Sequence, residues 1–360
     1  MHPITGRPDF RKEKDMHKYI KNNTSSENYK ARYSRTDLAA ECYPLTEDQK
    51  ETAKPRDNDG LIYSSEQKNG VEIVRLDVTS KAGAKKIGKE CGSYITVNIG
   101  RIWQKSSEER NKISDLLAEE LRSILNKSLQ SGTDGNHAQH NKTAEQENSD
   151  KPDSSSDIGK RDGCALIVGL GNRKITADAL GPLCADGINV TRHVRIADRA
   201  LFEKLGTDEI AAIAPGVSGQ TGIETSDLIK SIVQSISPYA IIAVDALAAR
   251  SSDRLGTTVQ LCDTGISPGS GIGNLRGAIN RETMGIPVVA IGVPTIVDSS
   301  TLVCDALEKA GMTEIPHQLE TVLENGKSFF VSLQESDEAV NALSELISDS
   351  IGEVFGTRFD

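Results

Sequence analysis

Five short apolar runs, separated by amphipathic stretches, constrain the fold of this chain more than any other feature of its sequence. They lie between residues 164 and 294 and read CALIVGL, EIAAIAP, YAIIAVDA, TTVQLCD and PVVAIGVP. Strands that are apolar on both faces and alternate with helices are typical of a parallel sheet covered on both sides. The stretches 225–236 and 301–312 have the apolar spacing of such helices. We therefore predict an α/β fold with a mostly parallel sheet flanked by helices.

The N-terminal third adds a smaller β element and a long helix. The runs VEIVRLDV (71–78) and YITVNI (94–99) predict two strands of an antiparallel or edge element. Ser106 and Glu109 form a potential capping box, and apolar residues at helical spacing follow from Ile113 onward. We interpret this region as a β appendage of one α/β domain, not as an independent fold.

Two polar stretches divide the chain. Residues 1–37 are almost entirely polar, and residues 127–160 consist mainly of Ser, Asn, Gln, Asp and Gly, so neither can bury enough apolar surface to offset its ordering entropy. His137 and His140 lie in the second stretch, where two exposed histidines give no sufficient reason to assign a metal. The predicted segments are a polar leader (1–37), the N-terminal β/α part of the domain (38–126), a disordered polar insertion (127–160) and an α/β core (161–360).

Composition excludes several classes of protein. The chain has 52 acidic and 42 basic side chains, a net charge of -10, which disfavours direct nucleic-acid binding and a polybasic membrane surface. It has no run of 18 apolar residues, so we expect no membrane-spanning helix, and its first residues lack the apolar region of a secretory signal. The six cysteines include no CxxC pair, which is typical of free thiols in a reducing cytoplasm.

The carboxyl ends of the predicted strands are the places where chemistry is expected in such a sheet. Asp178 follows the first strand of the core, and Asp245 follows the apolar run YAIIAV. Two carboxylates in one partly dry site resist ionising together, so one can accept a proton from water while the other donates one. The structural alternative is that Asp178 caps a helix and Asp245 closes a loop by hydrogen bonding. The spacing alone leaves both interpretations open.

Three other motifs give weaker indications. Gly169-Leu170-Gly171 suggests a dinucleotide site, but Lys174 occupies the place of the third glycine. The stretch GSGIGN lacks the Lys-Ser/Thr pair of a phosphate-binding loop. Gly265 to Gly269 matches GxSxG, but Pro268 has no N–H to donate to an oxyanion, so a serine nucleophile is poorly supported.

Several blocks of the chain, in order, resemble those of the germination protease family of spore-forming bacteria. They are VGLGNRKITADALGP, AIAPGVSGQTGIETSDLIK, AVDALAAR, CDTGISPGSGIGN and GIPVVAIGVPTIVD. The block YSRTDLAAE (33–41) is similar to the pro-segment junction of that family, and SFFVSLQESDEAVNALSELISDSI to its last helix. One departure is Ser267, where familiar members have a histidine.

The resemblance implies a fold like that of the hydrogenase maturation endopeptidases, in the phosphorylase/hydrolase-like class. It also implies an atypical aspartic endopeptidase, made as a self-processing zymogen and assembled as a homotetramer in the forespore or spore core. The substrates of such an enzyme are small acid-soluble proteins that coat spore DNA, which it degrades during germination. No cofactor is expected.

The resemblance also assigns roles to residues. Asp178 and Asp245 match the two essential aspartates of the family, and Asp37–Leu38 matches the bond at which the zymogen cuts itself, which would release residues 1–37. We expect the glycine-rich turns to supply oxyanion or substrate contacts; their candidate residues are Gly169, Gly171, Gly219, Gly222, Gly269 and Gly271. Three alternatives stay open: a metal-dependent peptidase that uses the same aspartates as ligands, a binding homologue that has lost turnover, and a nucleoside pocket suggested by fold analogy alone.

Overall fold

A computed structural model of the protein describes residues 35–43, 56–57, 59–131, 163–269, 277–312, 319 and 329–358. The strands are β1 Arg56–Asp57, β2 Leu61–Lys68, β3 Val71–Val78, β4 Gly92–Asn98, β5 Cys164–Gly169, β6 Glu209–Ile213, β7 Ala240–Ala249, β8 Thr258–Cys262, β9 Val288–Asp298 and β10 Phe330–Ser332. The α-helices are α1 Ala39–Cys42, α2 Lys81–Ile87, α3 Ser107–Gln130, α4 Leu180–Gly187, α5 Arg192–Ala197, α6 Arg199–Leu205, α7 Ser218–Thr221, α8 Thr225–Ile236, α9 Arg281–Met284, α10 Ser299–Lys309 and α11 Ser336–Phe355. Short 3₁₀ turns cover Ile102–Gln104, Thr176–Asp178 and Ser252–Arg254.

The strands form one mixed sheet in the order β1-β2-β3-β4-β8-β9-β7-β5-β6, and β10 pairs with β9. Only the pairings of β9 with β7, of β7 with β5 and of β5 with β6 are parallel; the other pairings among the described strands are antiparallel. The prediction of a mostly parallel sheet is therefore wrong for the sheet as a whole. The reason lies partly in β8, which follows β7 after residues 250–257. That connection is too short for a crossover helix, so β8 runs against its neighbours.

The N-terminal strands continue this sheet. The predicted strands 71–78 and 94–99 are confirmed as β3 and β4, and β4 pairs with β8 from Tyr94↔Cys262 to Asn98↔Thr258. The β2–β3 hairpin turns at Asn69-Gly70, both with positive φ (54° and 78°), which is the conformation that Asn-Gly favours in a tight hairpin. The appendage is thus an extension of the central sheet.

Helices cover both faces of the sheet. Alternate residues of β5 point to opposite sides: Ala165 and Ile167 pack in the core under α3, α4 and α11, whereas Leu166 and Val168 pack towards α8 and α9. This arrangement explains why the strand is apolar on both faces. None of the described helices is both long enough and apolar enough to cross a membrane.

The long helix α3 begins as predicted, with a reciprocal capping box between Ser106 and Glu109. It continues to Gln130, so the predicted start of the polar insertion at residue 127 is wrong. Leu125 and Ser128 are still buried there, and this packing extends the helix into the polar stretch. The rest of the insertion, including His137 and His140, lies outside the described residues.

Candidate active site

Asp245 lies within β7, at the point where the neighbouring strand stops. The prediction that it ends its strand is wrong, since β7 continues to Ala249. Strand β5 pairs with β7 only as far as Val244, opposite Gly169. Asp245 is therefore the first residue of β7 beyond β5, where its side chain is 5% exposed and its Oδ1 accepts the N–H of Ala246 at 2.9 Å. The alternative in which Asp245 closes a loop does not match this position in a strand.

Asp178 is held by the turn that follows β5. It ends the 3₁₀ turn Thr176–Asp178, and its Oδ2 accepts the N–H of Asn172 at 2.8 Å. Helix α4 begins only at Leu180, after Ala179, and has no side-chain cap. The alternative in which Asp178 caps that helix is therefore wrong. Its carboxylate instead orders the loop around it.

Gly171 makes room for Asp178. Its φ is +117°, and a Cβ built on it would lie 2.1 Å from the main-chain oxygen of Asp178 and 3.0 Å from Oδ1. Only glycine adopts this conformation readily, and only glycine leaves the space free. The glycine-rich turn thus has a definite structural role, which is to let the chain fold closely around the aspartate.

Both aspartates line one cavity of about 650 Å³. Gly171 and Gly269 line it too, but Gly169, Gly219 and Gly222 are not among the described residues around it, and Gly271 lies outside the described residues. A Cβ on Gly169 would lie 2.0 Å from the main-chain oxygen of Gly181, so this glycine allows α4 to pack against β5. The structure therefore does not support oxyanion contacts from Gly169, Gly219 or Gly222.

The segment around Asp37 lies along the part of β7 that extends beyond β5. The N–H of Asp37 donates to the main-chain oxygen of Ala248 at 2.9 Å, and the N–H of Ala248 donates to Asp37 Oδ2 at the same distance. The pairing of β7 with β9 shifts register between Leu247 and Ala248. Asp37 also lines the cavity with the two aspartates. The bond predicted for self-cleavage thus borders the cavity that both carboxylates line.

Leu38 anchors the same segment in a small apolar cluster. Its side chain is fully buried against Leu247, Ala249, Leu255 and Val297. The Asp37–Leu38 bond therefore has the cavity on one side and packed core on the other, which fixes its position.

Two polar residues that the sequence did not single out hold this bond. Lys89 Nζ donates to the main-chain oxygen of Asp37 at 2.8 Å and to that of Thr36 at 3.2 Å. Gln260 Nε2 also donates to the oxygen of Asp37, at 3.3 Å. Gly88, with φ +67°, ends α2, and Lys89 follows directly after this turn. A glycine after a helix is visible in the sequence, but nothing in the sequence connects Lys89 with Asp37.

Thiol and hydroxyl nucleophiles fit the cavity less well. Cys262 lines it, but burial raises the pKa of this thiol and keeps it protonated. Burial also raises the pKa of Cys184, to about 12. Ser267 lines the cavity and precedes Pro268, which has no N–H to offer. Within the described ranges, no group of three or more His, Cys, Asp or Glu side chains is placed to hold a metal ion.

The sequence of this chain is similar to a known protein family and to several known proteins. The family model for the germination proteases matches residues 39–136 and 133–311. The chain belongs to the germination protease family. It is 38% identical over 279 residues to the germination protease of Geobacillus sp. (strain WCH70), an alignment that covers 76% of this chain and 66% of that protein. The germination protease of Bacillus subtilis is 39% identical over 275 residues, with the same coverage.

Another relative aligns over a larger share of both chains. The germination protease of Clostridium acetobutylicum is 33% identical over 325 residues, which are 90% of this chain and 88% of that protein. The chain thus spans slightly less than two thirds of the Geobacillus and Bacillus relatives and most of the clostridial one. The resemblance stated from the sequence blocks is confirmed.

Proposed function

We propose that this member of the germination protease family is an aspartic-type endopeptidase, made as a zymogen that cuts itself between Asp37 and Leu38. One observation carries the proposal: Asp178, Asp245 and Asp37 line the same cavity. Membership of the family supports peptide-bond hydrolysis during spore germination. Small acid-soluble spore proteins as substrates, the homotetramer and the forespore location come from the family resemblance and are part of the proposal.

In the proposed mechanism, Asp178 and Asp245 activate one water molecule. One carboxylate takes a proton from the water, whose oxygen attacks the carbonyl carbon of Asp37. The other carboxyl is protonated and delivers its proton to the nitrogen of Leu38 as the C–N bond breaks. Because Asp245 is almost completely buried, its surroundings favour a state in which one of the two carboxyl groups is protonated over a state in which both are charged.

The contacts of Asp37 support recognition of an acidic residue before the cut. Its carboxylate accepts the N–H of Ala248, and its own N–H bonds to the Ala248 oxygen. A separate substrate with an acidic side chain at that position would make the same pair of bonds to the open part of β7, which is the strand-addition mode of peptide binding. Departure of the leader would make this edge available.

The direct test is self-processing of Asp178→Asn and Asp245→Asn. We expect each substitution to slow conversion at least about 100-fold, because an amide can neither accept the proton of the water nor deliver a proton to the nitrogen of Leu38. Asp227→Asn, an exposed position on α8, is the matched control and should process normally. The measurement is intact mass with N-terminal sequencing, and the new terminus should be Leu38. Normal processing of either active-site variant would refute the proposed pair.

The same assay addresses the alternatives. Among the described residues, the lining of the cavity contains aspartates but no histidine, and this donor set fits a transition metal poorly. Thorough treatment with a chelator should therefore leave processing unchanged, and loss of processing that zinc restores would favour the metal-dependent peptidase. A chain that neither processes nor cuts a small acid-soluble spore protein would favour the binding homologue.

A further inference from the structure

The main-chain oxygen of Asp37 receives two side-chain N–H donors. Lys89 Nζ lies 2.8 Å from it and Gln260 Nε2 3.3 Å. The donors come from different elements: Lys89 follows the left-handed turn after α2, and Gln260 projects from β8. Both residues line the cavity that contains Asp178 and Asp245.

We propose that Lys89 is a catalytic residue that, together with Gln260, stabilises the oxyanion formed when the peptide carbonyl before the cut is attacked. This inference rests on the proposed function, since it requires cleavage after Asp37. It assigns to two side chains a task that the sequence had assigned to the glycine-rich turns. Donors aimed at the developing charge are among the largest contributions to acyl-transfer catalysis.

The orientation of Gln260 supports this assignment. Its Oε1 accepts the N–H of Ala39 at 2.7 Å, on the other side of the Asp37–Leu38 bond. Because that partner is a donor, the other end of the amide must be the nitrogen, which therefore points at the Asp37 oxygen. The side chain is only 6% exposed, so the strand and its surroundings hold it in place.

The charge of Lys89 suits the reacting state better than the ground state. As the water oxygen bonds to the carbonyl carbon, the C–O double bond opens and the oxygen becomes an anion. Lys89 and Gln260 keep the hydrogen bonds they already make to that oxygen, and the ammonium gains an ion pair. When the C–N bond to Leu38 breaks, its electron pair leaves with the nitrogen, which takes a proton from the acidic carboxyl, and the carbonyl reforms.

The donors belong to the part of the chain that remains after residues 1–37 are released. They are therefore expected to act in the same way on a separate substrate. If Lys89 only anchored the leader, it would have no role after the leader is released. A catalytic Lys89 would still affect the cleavage of other substrates.

The test compares Lys89→Met with Lys89→Arg in the full chain. Methionine keeps an unbranched side chain without donors, and arginine keeps a charge with N–H donors. We expect Lys89→Met to lower the first-order rate constant of self-processing about 100-fold or more, the usual effect of removing one oxyanion donor, and Lys89→Arg to retain part of the rate. Lys85→Met, an exposed position on helix α2, which precedes Lys89, is the control and should process at the wild-type rate. Gln260→Met should also slow processing.

A second measurement separates catalysis from anchoring. The Lys89→Met chain is first processed by immobilised wild-type enzyme, which is then removed. Its cleavage of a synthetic peptide of residues 33–43 is then followed, and kcat should fall about 100-fold with a smaller change in KM. A wild-type kcat for the peptide would overturn the proposal, even if self-processing were slow. Wild-type self-processing by Lys89→Met, in a chain whose unfolding midpoint is unchanged, would overturn it as well.

These outcomes are distinct from failure of the proposed function. If the wild-type chain itself did not cut after Asp37, both proposals would fall. If the wild-type chain cuts there and the Lys89 variants behave like it, only the role of Lys89 is wrong.

Discussion

The position of Asp178 depends on a neighbouring residue that has no side chain. Gly171 combines a φ of +117° with contact to the main chain of Asp178, so the loop has no room for a methyl group. The carboxylate of Asp178 accepts the N–H of Asn172, in the same loop. A change at Gly171 should therefore act directly on the proposed active site.

We predict that Gly171→Ala slows self-processing at least about 10-fold, because the loop must move by more than an ångström and displace the carboxylate. Gly219→Ala is the control, since a Cβ at that position meets no atom within 4 Å. Mass spectrometry of the purified chains over time measures both. Unchanged processing by Gly171→Ala would show that the reaction does not depend on this placement of Asp178.

The candidate residues were predictable from the sequence to different degrees. Asp178 and Asp245 follow apolar strand runs, and the edge of the sheet is where such residues converge. Lys89 and Gln260 have no comparable signal, because their role depends on a contact with a segment about 50 and more than 200 residues away. In the sequence alone, a lysine after a helix and a glutamine within a strand indicate no particular chemistry.

At the scale of elements, Glu41 is one of the residues that attach the short helix α1 to the core. Its carboxylate accepts the N–H groups of Arg250 and Ser251 at 2.7 and 3.0 Å and lies 3.6 Å from the Arg254 guanidinium. The side chain is 5% exposed. One acidic residue thus satisfies the main chain at the end of β7 and holds the helix that follows the proposed cut.

We predict that Glu41→Ala destabilises the unprocessed chain by about 2 kcal/mol, because it leaves two part-buried N–H groups without their acceptor. The measurement is urea unfolding in an Asp178→Asn background, which keeps the leader in place. Glu203→Ala is the matched control: its exposed pair with Arg199 on α6 should contribute less than about 1 kcal/mol. Equal effects of the two substitutions would contradict this account of how α1 is attached.

The elements themselves were predictable where local signals are strong. The capping box before α3, the apolar spacing of α8 and the alternation in β3 all gave correct elements. The ends of β7 and β9 were not predictable, since these strands continue past their apolar runs to Ala249 and Asp298. Their extra residues pair with partners elsewhere in the chain, among them β10, and the local sequence does not contain that information.

At the scale of the whole molecule, the antiparallel N-terminal strands and the parallel core share one sheet. The five residue pairs between β4 and β8 join the two halves. One apolar core includes residues of both, such as Ile73 in β3 and Ile167 in β5. Smaller clusters also pack under each half separately, one around Tyr63 and Leu76 and one around Leu166 and Val168.

We predict that the described halves unfold together. Trp103, the single tryptophan, packs against this shared core, so its fluorescence reports on the junction of the halves. Its midpoint in urea should coincide with that of far-UV circular dichroism, as expected for one cooperative transition. Two separated midpoints would show that the N-terminal strands unfold independently of the core.

The sequence by itself determined the α/β class, the strands and helices with strong local periodicity, the two candidate aspartates and the family. These properties depend on the order and spacing of residue types, which can be read along the chain. Only the tertiary structure decided that the sheet is mixed, that β7 extends past β5, and that Asp37 lies on that extension under Lys89 and Gln260. The physical reason is that strand order and these hydrogen bonds join residues far apart in the chain, and such contacts form only when the whole core is packed.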